Sequence, residues 1–177
     1  MSLSIGAEAP PFDLPGVDGR NHALSDYFEC PVLAVVWSCN HCPYVQAWEG
    51  RMKQIQADYA ARSFRLVAIN SNDAASYPED SFDAMRERAQ RQAFNFDYLY
   101  DEDQSVVRAY GAERTPEVFL FDGDRRLCYH GAIDDSRDDR AVTRHYLREA
   151  IDAVLGGAAP AIAETPPVGC TVKFRPR

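Results

Sequence analysis

The chain has 177 residues, 46% of them hydrophobic, enough for one domain with its own core and too many for a disordered segment. A formal net charge of -8 leaves no concentrated basic surface, which excludes nucleic acid as a partner. The start MSLSIGAEAPPF has no basic-then-apolar leader, and no run reaches the roughly 18 apolar residues of a membrane span, so a cytoplasmic protein with no membrane partner is expected.

Between Ile5 and Tyr27, Pro10-Pro11, Pro15-Gly16 and Asp18-Gly19 are turn chemistry and predict a short hairpin or loop. VLAVVW at 32–37 is a β-branched apolar run without alternation, as in a strand buried on both faces. Val45, Trp48, Met52, Ile55 and Tyr59 then recur at helical spacing and predict a helix from Pro43 to about Arg62. FRLVAIN (64–70) is a second buried strand, and Pro78-Glu79-Asp80-Ser81 opens a second helix through FDAMRERAQRQAF. Phe96, Tyr98 and Tyr100 alternate as a third strand; Asp103 caps a short helix that Gly111 stops.

EVFLFD and RRLCYHG flank Asp122-Gly123, a hairpin signal, and a last helix is predicted over roughly Arg140 to Leu155, before Gly156-Gly157. The β-α-β order followed by a hairpin and helix predicts an α/β three-layer sandwich, a mixed central sheet with helices on both faces. Residues 1–157 make this domain, with the N-terminal hairpin as an extension, and residues 158–177 form a Pro-rich tail carrying Cys170.

Five cysteines are too few, and odd in number, for a disulfide framework, so a close pair points to redox chemistry or metal binding. Cys39-Asn-His-Cys42 sits where the first long strand ends and a helix begins. A thiolate there is stabilised by unpaired N–H groups and the helix dipole. On spacing alone Cys39 is placed to gain most of this and attack, with Cys42 resolving the mixed disulfide. His41 adds a donor or a positive charge beside the thiolate; each pKa unit lost by the nucleophile shifts the couple by about 30 mV toward oxidation.

The order of elements, the opening GAEAPPFDLPGVDG, the Cys-x-x-Cys, and Thr115-Pro116 ahead of the hairpin resemble the thioredoxin-fold redoxins, near their peroxiredoxin-like and TlpA-like (AhpC/TSA-related) members. WSCNHCPYV, AINSND, YLYDEDQSVVRAYG and GCTVKF are similar to a bacterial thioredoxin-family subgroup described as peroxiredoxin-like. The resemblance implies that Pro116 is a cis proline facing the cysteines and that the Thr115 backbone pairs with a substrate chain. It implies a protein or small-molecule disulfide, or a peroxide, as substrate, a thiol as reductant, and no dissociable cofactor.

Two departures stand out. Thioredoxins carry a buried acid in the strand ahead of the cysteines, where this chain has Leu33, Ala34, Val35 and Val36, leaving water, His41 or a carboxylate such as Glu117 to accept the proton. The peroxiredoxin pattern Pro-x-x-x-Thr/Ser-x-x-Cys, aligned on Cys42, meets Val35 and Cys39.

Cys170 either anchors the tail or accepts a disulfide from Cys39 or Cys42; in the second case the chain is alternatively a thiol peroxidase with Cys170 resolving. A third reading is a copper or zinc module built on Cys39, Cys42 and a histidine. Cys30 and Cys128 are read as structural, Asp134–Asp139 as a solvated loop, Arg114 as an exposed loop cation, and His22, His130 and His145 receive no role.

Overall fold

The structure, a computed structural model, describes all of residues 1–177. The N-terminal turn chemistry forms a small hairpin of β1 (Asp13–Pro15) and β2 (Asn21–Ala23). The domain then runs β3 (Val32–Trp37), α1 (Pro43–Tyr59), β4 (Phe64–Asn70), α2 (Phe82–Arg91), β5 (Asp97–Tyr100), α3 (Ser105–Tyr110), β6 (Arg114–Thr115), β7 (Glu117–Phe121), β8 (Leu127–Gly131), α4 (Tyr146–Leu155) and β9 (Cys170–Thr171).

Five strands make the central sheet in the order β5-β4-β3-β7-β8. The pairs β3–β4 and β4–β5 are parallel, as helical crossovers require, whereas β7 lies antiparallel to both β3 and β8. This is the expected mixed sheet.

Period-two alternation along β3 divides the core. Val32, Ala34 and Val36 face α1, α2 and α4 through Trp48, Met52, Ile55, Met85, Leu147 and Ile151. Leu33, Val35 and Trp37 face α3 and the N-terminal segment through Val106, Val107, Tyr110, Phe12 and Leu14. The central strand is therefore rigidly held on both sides, and the turn that follows it starts from a fixed point.

Helix α2 stops at Arg91 and does not run on to Phe94, since Ala93 turns at φ 51°, and three further details differ from the sequence-based expectation. Helix α1 ends at Tyr59, and Ala60–Arg62 tighten into a 3-10 turn that Ser63 stops at φ 60°. The N–H groups of Val106 and Val107 in α3 are received by the buried Asp101 carboxylate at 3.2 and 2.9 Å, while Asp103 reaches only Ser105 N, so the cap is shared. Helix α4 begins at Tyr146 and not at Arg140, because both oxygens of Asp135 hold Thr143, at its backbone N–H and its hydroxyl, in a loop preceded by extended Val142.

The 134–139 loop is likewise less solvated than expected at its first residue. Asp134 is 3% exposed and accepts from Trp48 Nε1 at 2.8 Å and from Arg51 Nη1 at 2.6 Å, tying the loop to α1. Removing one partner of such a buried pair leaves the other charge uncompensated. Asp134→Ala is expected to lower the free energy of unfolding by about 3 kcal/mol in urea titration; a loss below about 1 kcal/mol would show the pair to be dispensable.

Candidate active site

Strand β3 delivers the chain to the cysteines through a chain of buried hydrogen bonds. Trp37 Nε1 donates to Ser71 Oγ at 3.0 Å, and Ser71 Oγ donates to Asp101 Oδ2 at 2.7 Å, which fixes the end of β3 against β4 and α3. The next residues, Ser38 to Cys42, form a tight loop whose residues are all buried except His41.

Pro43 is the first residue of α1, so the N-cap position falls on Cys42 and not on Cys39. Proline suits this place because its missing N–H would be unpaired there and its φ is already helical. Spacing expected Cys39 to gain most from the helix N-terminus; in the structure the N-cap residue is Cys42. Its thiol is pushed down to about 4, chiefly by the adjoining Cys39 thiol and against burial. The Cys39 thiol moves the other way, raised by its bond to Cys42, by burial and by the charge of Asp80.

Across the cleft the Thr115–Pro116 peptide is cis. Cys42 Sγ lies 3.5 Å from Thr115 O and Cys39 Sγ 3.6 Å from Thr115 Oγ1, so this turn does face the pair. The edge that the family resemblance assigns to a substrate chain is occupied by the protein's own tail: Thr115 pairs with Cys170 and Arg114 with Thr171. Cys170 packs against the buried Cys39, Cys42 and Val45. Cys39 and Cys42 are 1% and 0% exposed under this cover.

The tail is anchored on both sides of Cys170. Upstream, Thr165 N donates to His130 O at 3.0 Å and Thr165 Oγ1 accepts from Ala132 N at 2.9 Å. Downstream, Val172 N donates to Glu113 O at 2.9 Å, and Lys173 N donates to Asn72 Oδ1 at 2.8 Å. Arg114 is exposed, and its guanidinium meets the tail at Gly169 O, 3.5 Å away.

Asp80, expected only as part of a helix start, is fully buried beneath the cysteine loop. Its Oδ1 accepts from Asn40 N at 2.7 Å and its Oδ2 from Asn72 Nδ2 at 2.8 Å. His41 stacks on Tyr77 with its Nδ1 sealed from solvent, 2.6 Å from Asp80 Oδ2 but without hydrogen-bond alignment. Tyr98 donates to Asn40 Oδ1 at 2.8 Å, and burial, with the Asp80 charge, keeps its phenol well above the ordinary value and so a donor. No periodicity could have found Asp80, since a turn residue's direction is set by tertiary packing.

Glu117 is also committed elsewhere. Its Oε2 accepts from Glu113 N and Arg114 N, both at 2.8 Å, and its Oε1 lies 2.6 Å from His130 Nε2, giving that histidine a partner. His22 sits between Asp18 and Asp97, far along the chain from the cysteines. Cys30 packs on the core, and burial pushes the Cys128 thiol up to about 11.

Two donor sets lie close enough to share an ion, Cys39–His41–Asp80 and Asp18–His22–Asp97, and neither includes the Cys42 that the copper or zinc reading needs. The 2.6 Å between His41 Nδ1 and Asp80 Oδ2 is too short for two ligands of one zinc, which stand roughly 3.3 Å apart at ordinary bond lengths.

At Gly169 an added Cβ would fall 2.1 Å from Thr115 O, so only glycine lets the tail lie this close to the cis-proline turn. Gly169→Ala is expected to lift the tail and to raise iodoacetamide labelling of the Cys39–Cys42 pair about tenfold or more. Unchanged labelling would mean that the tail does not limit access.

Comparison with known proteins agrees with this architecture. Residues 5–130 match the AhpC/TSA family. A hypothetical protein from Sinorhizobium meliloti 1021 is 38% identical and superposes with a TM-score of 0.93 over 99% of this chain and 97% of its own. An uncharacterized conserved protein from Geobacillus kaustophilus is 39% identical with a TM-score of 0.93, covering 98% and 94% of the two chains. The thiol-disulfide oxidoreductase ResA of Geobacillus thermodenitrificans (strain NG80-2) is 26% identical over 128 residues, 71% of this chain and 68% of its own. The chain therefore has the thioredoxin fold and belongs to the AhpC/TSA family.

Proposed function

We propose that this chain is a thiol-disulfide oxidoreductase whose working pair is the Cys39–Cys42 dithiol. The observation that carries the reading is the placement of two adjoining thiols, Cys42 at the N-cap of α1 and Cys39 in the loop before it, both facing the cis Thr115–Pro116 turn; on this reading Cys42 is the thiolate and Cys39 its proton-bearing partner. The similarity to a protein named thiol-disulfide oxidoreductase supports the same class.

In the reductive direction the Cys42 thiolate attacks one sulfur of a substrate disulfide. A Cys42–substrate mixed disulfide forms and the first substrate thiolate leaves. Cys39 then loses its proton and attacks Cys42 Sγ, closing the Cys39–Cys42 bond and releasing the second substrate thiolate. Two electrons pass from the dithiol to the substrate, a protein or small-molecule disulfide, and a separate thiol reductant restores the pair without a dissociable cofactor. The backbone of Thr115 and the ring of Pro116 position the substrate once β9 has left them.

A second reading, thiol peroxidase, rests on Cys170 beside Cys42. The Cys42 thiolate takes one oxygen from a peroxide, giving a sulfenic acid and an alcohol, and the Cys170 thiol condenses with it to a disulfide and water.

Turnover of oxidised glutathione and of hydrogen peroxide, each with dithiothreitol as reductant, separates the two readings. The oxidoreductase reading expects Cys42→Ser to abolish disulfide turnover, Cys39→Ser to accumulate a mixed disulfide on Cys42, and Cys170→Ser to retain turnover. Undiminished turnover in Cys42→Ser protein would end this reading, and peroxide consumption that needs Cys170 would establish the second.

A further inference from the structure

Under the dithiol reading just given, Cys39 must shed a proton inside a closed site when its sulfur attacks Cys42. Strand β3 carries no acid, and Cys39 is 1% exposed, so bulk water has no direct access. Both oxygens of Glu117 are engaged, by two backbone N–H groups and by His130.

One ionisable pair remains. A ring nitrogen of His41 and a carboxylate oxygen of Asp80 lie within 4.8 Å of Cys39 Sγ and of each other. The buried Nδ1 with no aligned partner is itself a feature that needs explaining, because buried polar atoms are nearly always satisfied.

We propose that His41 is the proton acceptor for Cys39 and that Asp80 is its positioning residue, replacing from the turn before α2 the acid that β3 lacks. Cys39 passes its proton to the imidazole as the Cys39–Cys42 bond forms, and the imidazolium is paired with Asp80 at once. Asp80 has no other cation in contact and is fixed by Asn40 and Asn72. The charge of Asp80 also holds the Cys39 thiol protonated until that step, consistent with its raised pKa.

The proton can then leave. The His41 side chain is 27% exposed and borders a polar cavity of about 300 Å³ with Gln46, Glu79, Glu87, Arg88 and Arg91. The groups facing the dyad are thus Cys39 and Tyr77 within the site and two acids and two arginines at the cavity, with Arg88 already paired to Glu49.

Ellman's reagent separates the steps, because attack by Cys42 releases one thionitrobenzoate and ring closure by Cys39 releases a second. In stopped-flow mixing with the full-length reduced protein, Asp80→Asn and His41→Gln are expected to leave the first phase within about twofold. The second phase at pH 7 should slow by roughly 100-fold, the scale of general-base catalysis, and recover as pH rises. The adduct on Cys42 should accumulate by mass spectrometry.

A second phase as fast as in the unsubstituted protein would overturn the proposal, as would both phases slowing together without pH recovery, which is the mark of a displaced loop. If the unsubstituted protein releases one equivalent and forms no Cys39–Cys42 bond, the dithiol reading itself fails, and this proposal with it.

Discussion

A proline at position 43 decides which sulfur caps the helix. Because Pro43 has no N–H to give to an earlier carbonyl and its φ suits the first helical position, α1 starts there, the N-cap is Cys42, and its sulfur lies at the positive end of the dipole. The groups nearby meet at that sulfur: Cys39 and Cys170 pack beside it, and the Cys42 thiol donates to the Thr115 carbonyl at 3.5 Å. Under the proposed reading, the different places of two thiols three residues apart set the order of attack.

Asn72 joins the two halves of the site. Its amide nitrogen donates to Asp80 beneath the cysteine loop, and its amide oxygen accepts from Lys173 N in the tail that covers the loop. The residue that steadies the carboxylate behind His41 therefore also holds the cover in place. Lifting β9 would free the Thr115 backbone for another extended chain and remove the Lys173 bond to Asn72, leaving Asn72 held by Asn70 and Asp80.

Much of the fold was legible in residue patterns, and the reasons are local. Continuous apolar runs marked β3 and β4, helical spacing marked α1, and Asp122-Gly123 marked the β7–β8 hairpin, whose loop runs longer than two residues to Arg126. The boundary of α4 was missed because Asp135 captures Thr143 from eight residues away, an interaction with no signature in spacing. Within the site, Cys39, His41, Cys42, Thr115, Pro116 and Cys170 were all visible, and the structure brings them together. Asp80 was not visible, since Pro78-Glu79-Asp80-Ser81 reads as an ordinary helix start until β4 and the 71–77 turn fold it under Asn40. The order proposed for the cysteines was also beyond spacing, because it depends on how the two sulfurs meet each other, Thr115 and Cys170 across the cleft.

The most direct test of the account is the rate at which each cysteine of the reduced protein is alkylated as a function of pH, resolved by peptide mass spectrometry. The account predicts that Cys42 reacts first and that its rate stays level as pH falls, declining only near pH 4. Preferential labelling of Cys39, or a Cys42 rate that climbs through the ordinary thiol range near pH 8 to 9, would contradict it.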